Sequence, residues 1–217
     1  MDMIVKICGL STPESVELAR DGGASHLGFI FYPKSPRHVS SEQAAALAKL
    51  KGEAKTVAVT VNAGDDYLDE IVTTMRPDIL QLHGGESLER IAELRERHGL
   101  PIIKAMAVRE AGDLDKIAHY APHVAMLLVD AKPPKGADLP GGNGITFDWS
   151  LVENLACDTP ILLSGGIGLP NLDEAIGHVR NPANALAGLD LSSGVESAPG
   201  VKDDGKIKAL LARCRDA

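Results

Sequence analysis

The chain has 217 residues, 22 Lys plus Arg against 30 Asp plus Glu, and a formal net charge of −8. With no basic block it lacks an electrostatic footprint for nucleic acid or an anionic membrane surface, and aromatic residues, at 3%, are too few for base-stacking platforms. The length predicts one domain over 1–217, and 44% hydrophobic content is enough for a core that needs no disulfides. The three cysteines, Cys8, Cys157 and Cys214, are odd in number, far apart and free of any C-x-x-C spacing. That argues against a disulfide framework or a cysteine-built zinc site, and it fits a reducing cytoplasm. The N-terminus, Met-Asp-Met-Ile-Val-Lys-Ile-Cys-Gly, lacks the basic-then-apolar order of a signal peptide, and no apolar run approaches a membrane span of roughly 18 residues. Seven histidines are present, but none has H-E-x-x-H spacing, so no metal is expected.

Short aliphatic and β-branched runs alternate along the chain with amphipathic stretches. The first unit reads as a strand over 3–8 and a helix over 12–22, which Thr12-Pro13-Glu14 opens with a hydroxyl cap and an acidic first turn. The second has a strand over 26–31 and a helix over 40–50, begun by Ser40-Ser41-Glu42. Strands over 56–62, 79–83 and 102–108 follow, each with its helix, over 66–75, 86–98 and 111–120. The sixth strand, 125–130, leads into the irregular stretch 131–146, and Asp148 then caps a helix over 149–156. The last two units pair 160–164 with 170–177 and 185–191 with 202–214. Regular βα alternation means parallel strands joined by right-handed crossovers. Eight such units predict an α/β fold, a (β/α)8 TIM barrel of eight parallel strands. The rival, an open doubly wound sheet, is disfavoured because no G-x-G-x-x-G follows the first strand.

In such barrels chemistry sits at the C-terminal ends of the strands. Polar or nucleophilic residues gather at those ends here: Cys8, Asn62, His83, Asp130, Ser164, Asp190 and Ser192. Cys8 is either a small buried hydrophobe or a base or nucleophile at the catalytic rim. Asp130 closes the run Ala125–Val129, where it is either a cap or ion-pair partner or a general acid. Asp190 has the same placement on the eighth strand. Lys6 lies two residues before Cys8, so both share one face of the first strand, and a Lys6 ammonium facing inward needs a carboxylate, from Asp130 or Asp190. Two glycine turns, Ser164-Gly165-Gly166-Ile167 and Ser192-Ser193-Gly194-Val195, follow the seventh and eighth strands, the usual place of a phosphate cradle. Arg37, in Ser35-Pro36-Arg37-His38, is either a solvated surface arginine or a two-pronged clamp for a carboxylate. His83 follows Gln81 at period two and reads equally as a core histidine or a ligand contact.

With these residues in place the chain resembles the phosphoribosylanthranilate isomerase family over nearly its whole length. The resemblance rests on Lys6-Ile-Cys-Gly-Leu10, Gly28-Phe-Ile-Phe31 with Ser35-Pro-Arg37, and Gln81-Leu-His-Gly84. It continues through Gly141-Gly-Asn-Gly144 with Phe147-Asp-Trp149, then Asp190-Leu-Ser-Ser-Gly-Val-Glu196 with Pro199-Gly-Val-Lys-Asp203. It implies a cofactor-free Amadori rearrangement of N-(5-phosphoribosyl)anthranilate, with Asp130 as general acid and Cys8 as general base. It also implies Arg37 on the anthranilate carboxylate, Gly165, Gly166, Ser193 and Gly194 around the phosphate, and His83 and Asp190 as further substrate contacts. The expected partner is this small phosphorylated substrate alone, handled by a cytoplasmic monomer or weak homodimer.

Three positions depart from the family pattern: Thr60 stands where phenylalanine is usual, Asn143 where threonine is common, and Ser164 replaces an alanine. The first bears on the shape of the anthranilate pocket. Two rivals stay open on sequence: another phosphosugar isomerase of this barrel type, and a barrel that binds a phosphorylated ligand without turnover. The former typically places an aspartate where this chain has Cys8.

Overall fold

In the computed structural model, which describes residues 3–131, 141, 146–153, 155 and 157–217, each of the eight aliphatic runs is a strand. They are β1 (Ile4–Cys8), β2 (His26–Phe31), β3 (Lys55–Thr60), β4 (Ile79–Leu82), β5 (Ile102–Val108), β6 (Met126–Ala131), β7 (Ile161–Leu163) and β8 (Leu186–Leu191). All pair in parallel with their sequence neighbours, and β1 pairs with β8, so the sheet closes into a barrel. The helices between and after them are α1 (Pro13–Asp21), α2 (Ser41–Ala48), α3 (Asp65–Met75), α4 (Leu88–His98), α5 (Leu114–Tyr120), α6 (Ser150–Glu153), α7 (Leu172–Val179) and α8 (Asp204–Asp216). No described helix is long and apolar enough to cross a membrane.

The helix starts follow from local chemistry. Thr12, Ser40, Ser87 and Asp203 each accept a hydrogen bond from the third residue of the helix that follows, satisfying one of the donors a helix start leaves unpaired. Asp148 accepts from both the backbone N–H and the hydroxyl of Ser150, as expected of the cap of α6.

Strand alternation divides the core in two. One set of side chains, including Ile7, Leu27, Phe29, Leu80, Leu127 and Leu189, packs outward against the helices. The other set fills the barrel: Cys8, Val57, Val59, Ile79, Ile103, Ala105, Leu128 and Leu162. Cys8 and Leu128 therefore face the same lumen, and Asp130, two residues beyond Leu128, faces it too.

The structure differs from the sequence expectations at element ends. β3 stops at Thr60, so Asn62 lies beyond the strand with a positive φ of 47°. The helix expected from 111 starts as a 3-10 turn over Ala111–Asp113 before α5, and α7 is likewise preceded by a 3-10 turn over Leu169–Asn171. A short antiparallel hairpin, β9 (Glu196–Ala198) and β10 (Val201–Lys202), stands between β8 and α8, so Lys202, expected to open the last helix, belongs to a strand, and the helix begins at Asp204. The stretch 132–140 and 142–145, with Asn143, lies outside the described residues.

Candidate active site

At the upper end of β1 the inward face carries Lys6 and then Cys8, 0% and 5% exposed. Gly28 sits opposite on β2, in register with Cys8. A Cβ at Gly28 would stand 3.0 Å from the Cys8 Sγ and 3.1 Å from the Lys6 Nζ, so glycine leaves the room into which thiol and ammonium project. The partner that Lys6 requires is Asp190, at 2.7 Å, and not Asp130. Ser164 donates to the other oxygen of Asp190 at 3.3 Å. This serine, one of the family departures, thus joins the buried ion pair.

Burial pushes the Cys8 thiol above its ordinary range; the Lys6 ammonium works against that, and the Asp190 carboxylate adds to it. For Lys6 burial is the largest single influence and opposes the charge, but Asp190 and Cys8 together hold the ammonium above its usual range.

Arg37 is only 4% exposed, which removes the reading of a solvated surface arginine. Its Nε and Nη2 donate to the two oxygens of Glu196 at 2.7 and 2.8 Å, a fork-on-fork pair. Lys202 donates to Glu196 Oε1 at 2.9 Å and to the Ser192 carbonyl at 3.1 Å, and the Ser192 hydroxyl donates to the Cys8 carbonyl at 3.1 Å. Burial disfavours the charge on Glu196, yet the Arg37 hydrogen bonds and the nearby Lys202 hold it below the usual carboxylate range.

Across the lumen, Asp130 accepts the N–H of Ala131 at 2.8 Å. Its other oxygen faces the His83 Nε2 at 3.6 Å. The His83 Nδ1 lies 3.1 Å from the Gln81 Nε2, so the Gln81 amide holds the ring with its Nε2 edge toward Asp130. A Cβ on Gly141 would come within 2.7 Å of both Asp130 Oδ2 and His83 Nε2, so this glycine passes directly over the pair.

The two glycine turns meet each other. Gly165 and Gly166 take positive φ of 92° and 63°, and a side chain at Gly165 would strike the Ala131 N–H at 2.8 Å. A Cβ on Gly194 would fall 1.9 Å from the Ile167 carbonyl, so the turns after β7 and β8 stack backbone on backbone. Ser193–Val195 forms a 3-10 turn there. Among the described residues no protein acceptor takes the N–H groups of Gly165, Gly166, Ser193 or Gly194, and all four residues are half-buried. This is a row of backbone donors suited to an anion.

The structure brings Cys8, Asp190, Arg37, the two turns, His83 and Asp130 to one end of the barrel. It removes Asn62 from the reactive set: its Oδ1 accepts the Gly85 N–H at 2.7 Å and its own N–H donates to Glu86 at 2.8 Å, so it ties loops together. Thr60 lies one residue past the lumen residue Val59, on the face that meets the helices, so its departure from the family pattern does not reach the pocket. Sequence reasoning passed over Glu196 and Lys202 as site residues, and also Glu86. The Glu86 carboxylate accepts from Gly84 and from the buried Lys104 at 3.0 Å each, and so fixes the loop that carries His83.

Residues 5–213 match the model of the family described as N-(5'phosphoribosyl)anthranilate (PRA) isomerase. The chain is 54% identical over 218 residues to the N-(5'-phosphoribosyl)anthranilate isomerase of Brucella canis, covering 100% of this chain and 96% of that one, and equally similar to that of Brucella abortus. The phosphoribosyl anthranilate isomerase structure from Thermotoga maritima superposes with a TM-score of 0.85 at 32% identity, over 99% of this chain and 100% of that one. The one from Thermus thermophilus gives 0.84 at 32%, over 99% of each. An isomerase solved in complex with reduced 1-(o-carboxyphenylamino)-1-deoxyribulose 5-phosphate gives 0.82 at 30% identity, over 99% of this chain and 100% of that one.

Proposed function

The chain belongs to the N-(5'-phosphoribosyl)anthranilate isomerase family, and from its geometry we propose that Cys8 is the general base and Asp130 the general acid of the rearrangement. The enzyme converts N-(5'-phosphoribosyl)anthranilate into 1-(2-carboxyphenylamino)-1-deoxyribulose 5-phosphate, a step of tryptophan biosynthesis. Asp130 gives its proton to the furanose ring oxygen. The C1–O bond breaks and the anthranilate nitrogen lone pair closes a C=N bond, leaving an open-chain iminium. The Cys8 thiolate then removes the C2 proton, and those electrons form C1=C2 as the nitrogen regains its pair. Loss of the enol hydroxyl proton and gain of a proton at C1 complete the ketone. Asp130 has then given up one proton and Cys8 has taken one, so this last exchange resets both.

The carrying observation is that the thiol and the carboxyl stand on the same inward face, at the upper ends of β1 and β6, beside a row of backbone N–H groups unengaged among the described residues. In this reading the turns at Gly165–Gly166 and Ser193–Gly194 hold the phosphate. Arg37 offers its remaining nitrogen, Nη1, to the anthranilate carboxylate, and His83 and Asp190 border the sugar. The aldose carbon is handled in a site whose own residues supply acid, base and anion donors. We read residues 1–217 as one barrel domain acting in the cytoplasm as a monomer or weak homodimer.

The test is loss of turnover in Cys8→Ser and Asp130→Asn with binding retained. Roughly 10²–10⁴-fold is expected for each, the usual contribution of a general acid or base. Near-normal turnover in either variant removes that residue from the chemistry.

A further inference from the structure

The hairpin after β8 supplies no acid, base or phosphate donor, yet side-chain hydrogen bonds tie its first strand to Arg37 and Lys202. Its first residue, Glu196, is 6% exposed and receives two hydrogen bonds from Arg37 and one from Lys202. Its turn closes on the loop that carries Arg37: a Cβ at Gly200 would come within 2.5 Å of the Pro36 carbonyl, and the Gly200 N–H donates to Glu196 Oε2 at 3.3 Å. The hairpin is tied from the other side by the Lys206 ammonium, which donates to the Glu196 carbonyl at 2.6 Å. The stem of Arg37 lies on Gly9, where a side chain would meet it at 2.6 Å, so the guanidinium is set down immediately beside Cys8.

Two features follow from this wiring. The fork uses Nε and Nη2, so the guanidinium plane is fixed edge-on to Glu196 and the opposite corner, Nη1, is left without a protein partner among the described residues. Among the described residues the sealed unpartnered side-chain atoms lie on His38, Gln81, His98 and Trp149, and Nη1 is not one of them, so it keeps contact with the open side. The second feature is charge. Among the described residues Arg37 and Lys202 share the single carboxylate of Glu196, all three side chains being at most 5% exposed, so two basic side chains face one acid. A monoanionic carboxylate arriving at Nη1 would bring the cluster to neutrality.

We propose that Glu196, balanced by Lys202, is a positioning residue that aims the free corner of Arg37 at the substrate's aromatic carboxylate, so that the hairpin confers selectivity for a carboxylated amine. This rests on the reading of Arg37 as the carboxylate clamp and adds what holds the clamp in place. Glu196 touches no reacting atom in this account.

The experiment uses the intact enzyme and two inhibitors: the reduced product analogue that carries the ortho carboxylate, and its phenylamino counterpart without it. Glu196→Gln should weaken the carboxylated analogue about tenfold and leave the other within about twofold, while KM for substrate rises more than kcat falls. Lys202→Met should show the same selective loss, and Lys202→Arg, which keeps the charge, should restore it. Equal weakening of both analogues would reduce the hairpin to scaffolding and overturn the proposal, as would no weakening of either. Should Glu196→Gln fail to fold, Glu196→Asp withdraws the carboxylate by one methylene and reads the same pair of constants. Arg37→Ala separates the two layers: if it lacks the carboxylate-selective loss, the clamp itself is wrong; if it has the loss and the Glu196 variants do not, only the positioning role fails.

Discussion

Among the described residues, the surroundings of Cys8 and of Asp130 at the barrel mouth are built differently. Around Cys8 stand Lys6, Asp190, Arg37, Glu196 and Lys202, joined by ion pairs of 2.7 to 2.9 Å. Around Asp130 the described residues offer only the Ala131 N–H and His83 at 3.6 Å, with no Lys or Arg in ion-pair reach. The contrast fits the roles proposed for the two groups. A buried thiol has to be helped toward its anion, and cations do that. Among the described residues the proposed acid has a backbone N–H and a histidine beside it in place of that cluster of cations.

The sharpest way to break this comparison is to remove the proposed base and the proposed acid. Cys8→Ser and Asp130→Asn should each lower kcat roughly 10²–10⁴-fold in steady-state assays, and a large asymmetry would show that one side carries the chemistry alone. Next in size is the wiring. Lys6→Met strands the Asp190 carboxylate inside the barrel and should cost about 3–5 kcal/mol in denaturant unfolding. On the sparse side, His83→Asn should cost only about 0.5–1.5 kcal/mol. Equal costs would erase the distinction between the two sides.

Arg37→Ala should raise KM about tenfold with a smaller effect on kcat, as expected for a lost charge-assisted hydrogen bond. An unchanged KM would leave the carboxylate without its anchor.

The smallest effects are those of pH. Because burial raises the Cys8 thiol, with Lys6, Arg37 and Lys202 as the facing cations and Asp190 as the facing anion, the thiolate is the minor form at neutral pH. The kcat/KM of the free enzyme should therefore climb above pH 7 toward a plateau, and the climb should disappear in Cys8→Ser. Glu196 has the opposite sign. Its depressed pKa contributes stability above the ordinary carboxylate range, and that stability is lost as pH falls through the lower folded value. Acid unfolding should come at higher pH in Lys202→Met, where part of that depression is removed.

Much of this was legible in the sequence because the signals are local. Runs such as Ile4–Cys8, Ile102–Val108 and Leu186–Leu191 are aliphatic over a strand's length, and strand parity alone placed Lys6 beside Cys8 and demanded a carboxylate for it. Parity left Asp130 and Asp190 equivalent; closure of β1 on β8 decided it, since Lys6 and Asp190 are register partners. The Arg37–Glu196 fork spans 159 positions and follows no periodicity, so only the folded chain reveals it. The hairpin was missed for a related reason: its strands are three and two residues long, too short for any alternation to register. Asn62 misled because it continues a β-branched run, yet its left-handed backbone ends the strand and turns the amide toward Gly85.

The most direct measurement is a crystal structure of this enzyme with the reduced product analogue bound. The account predicts the Cys8 sulfur against the C2 side of the sugar and the Asp130 carboxyl at the oxygen corresponding to the furanose ring, at about 2.6–3.2 Å for the hydrogen-bonded pair. The phosphate should rest on the N–H groups of Gly165 to Gly194. An analogue bound with its sugar out of reach of either group, or with the phosphate seated away from those turns, would contradict it.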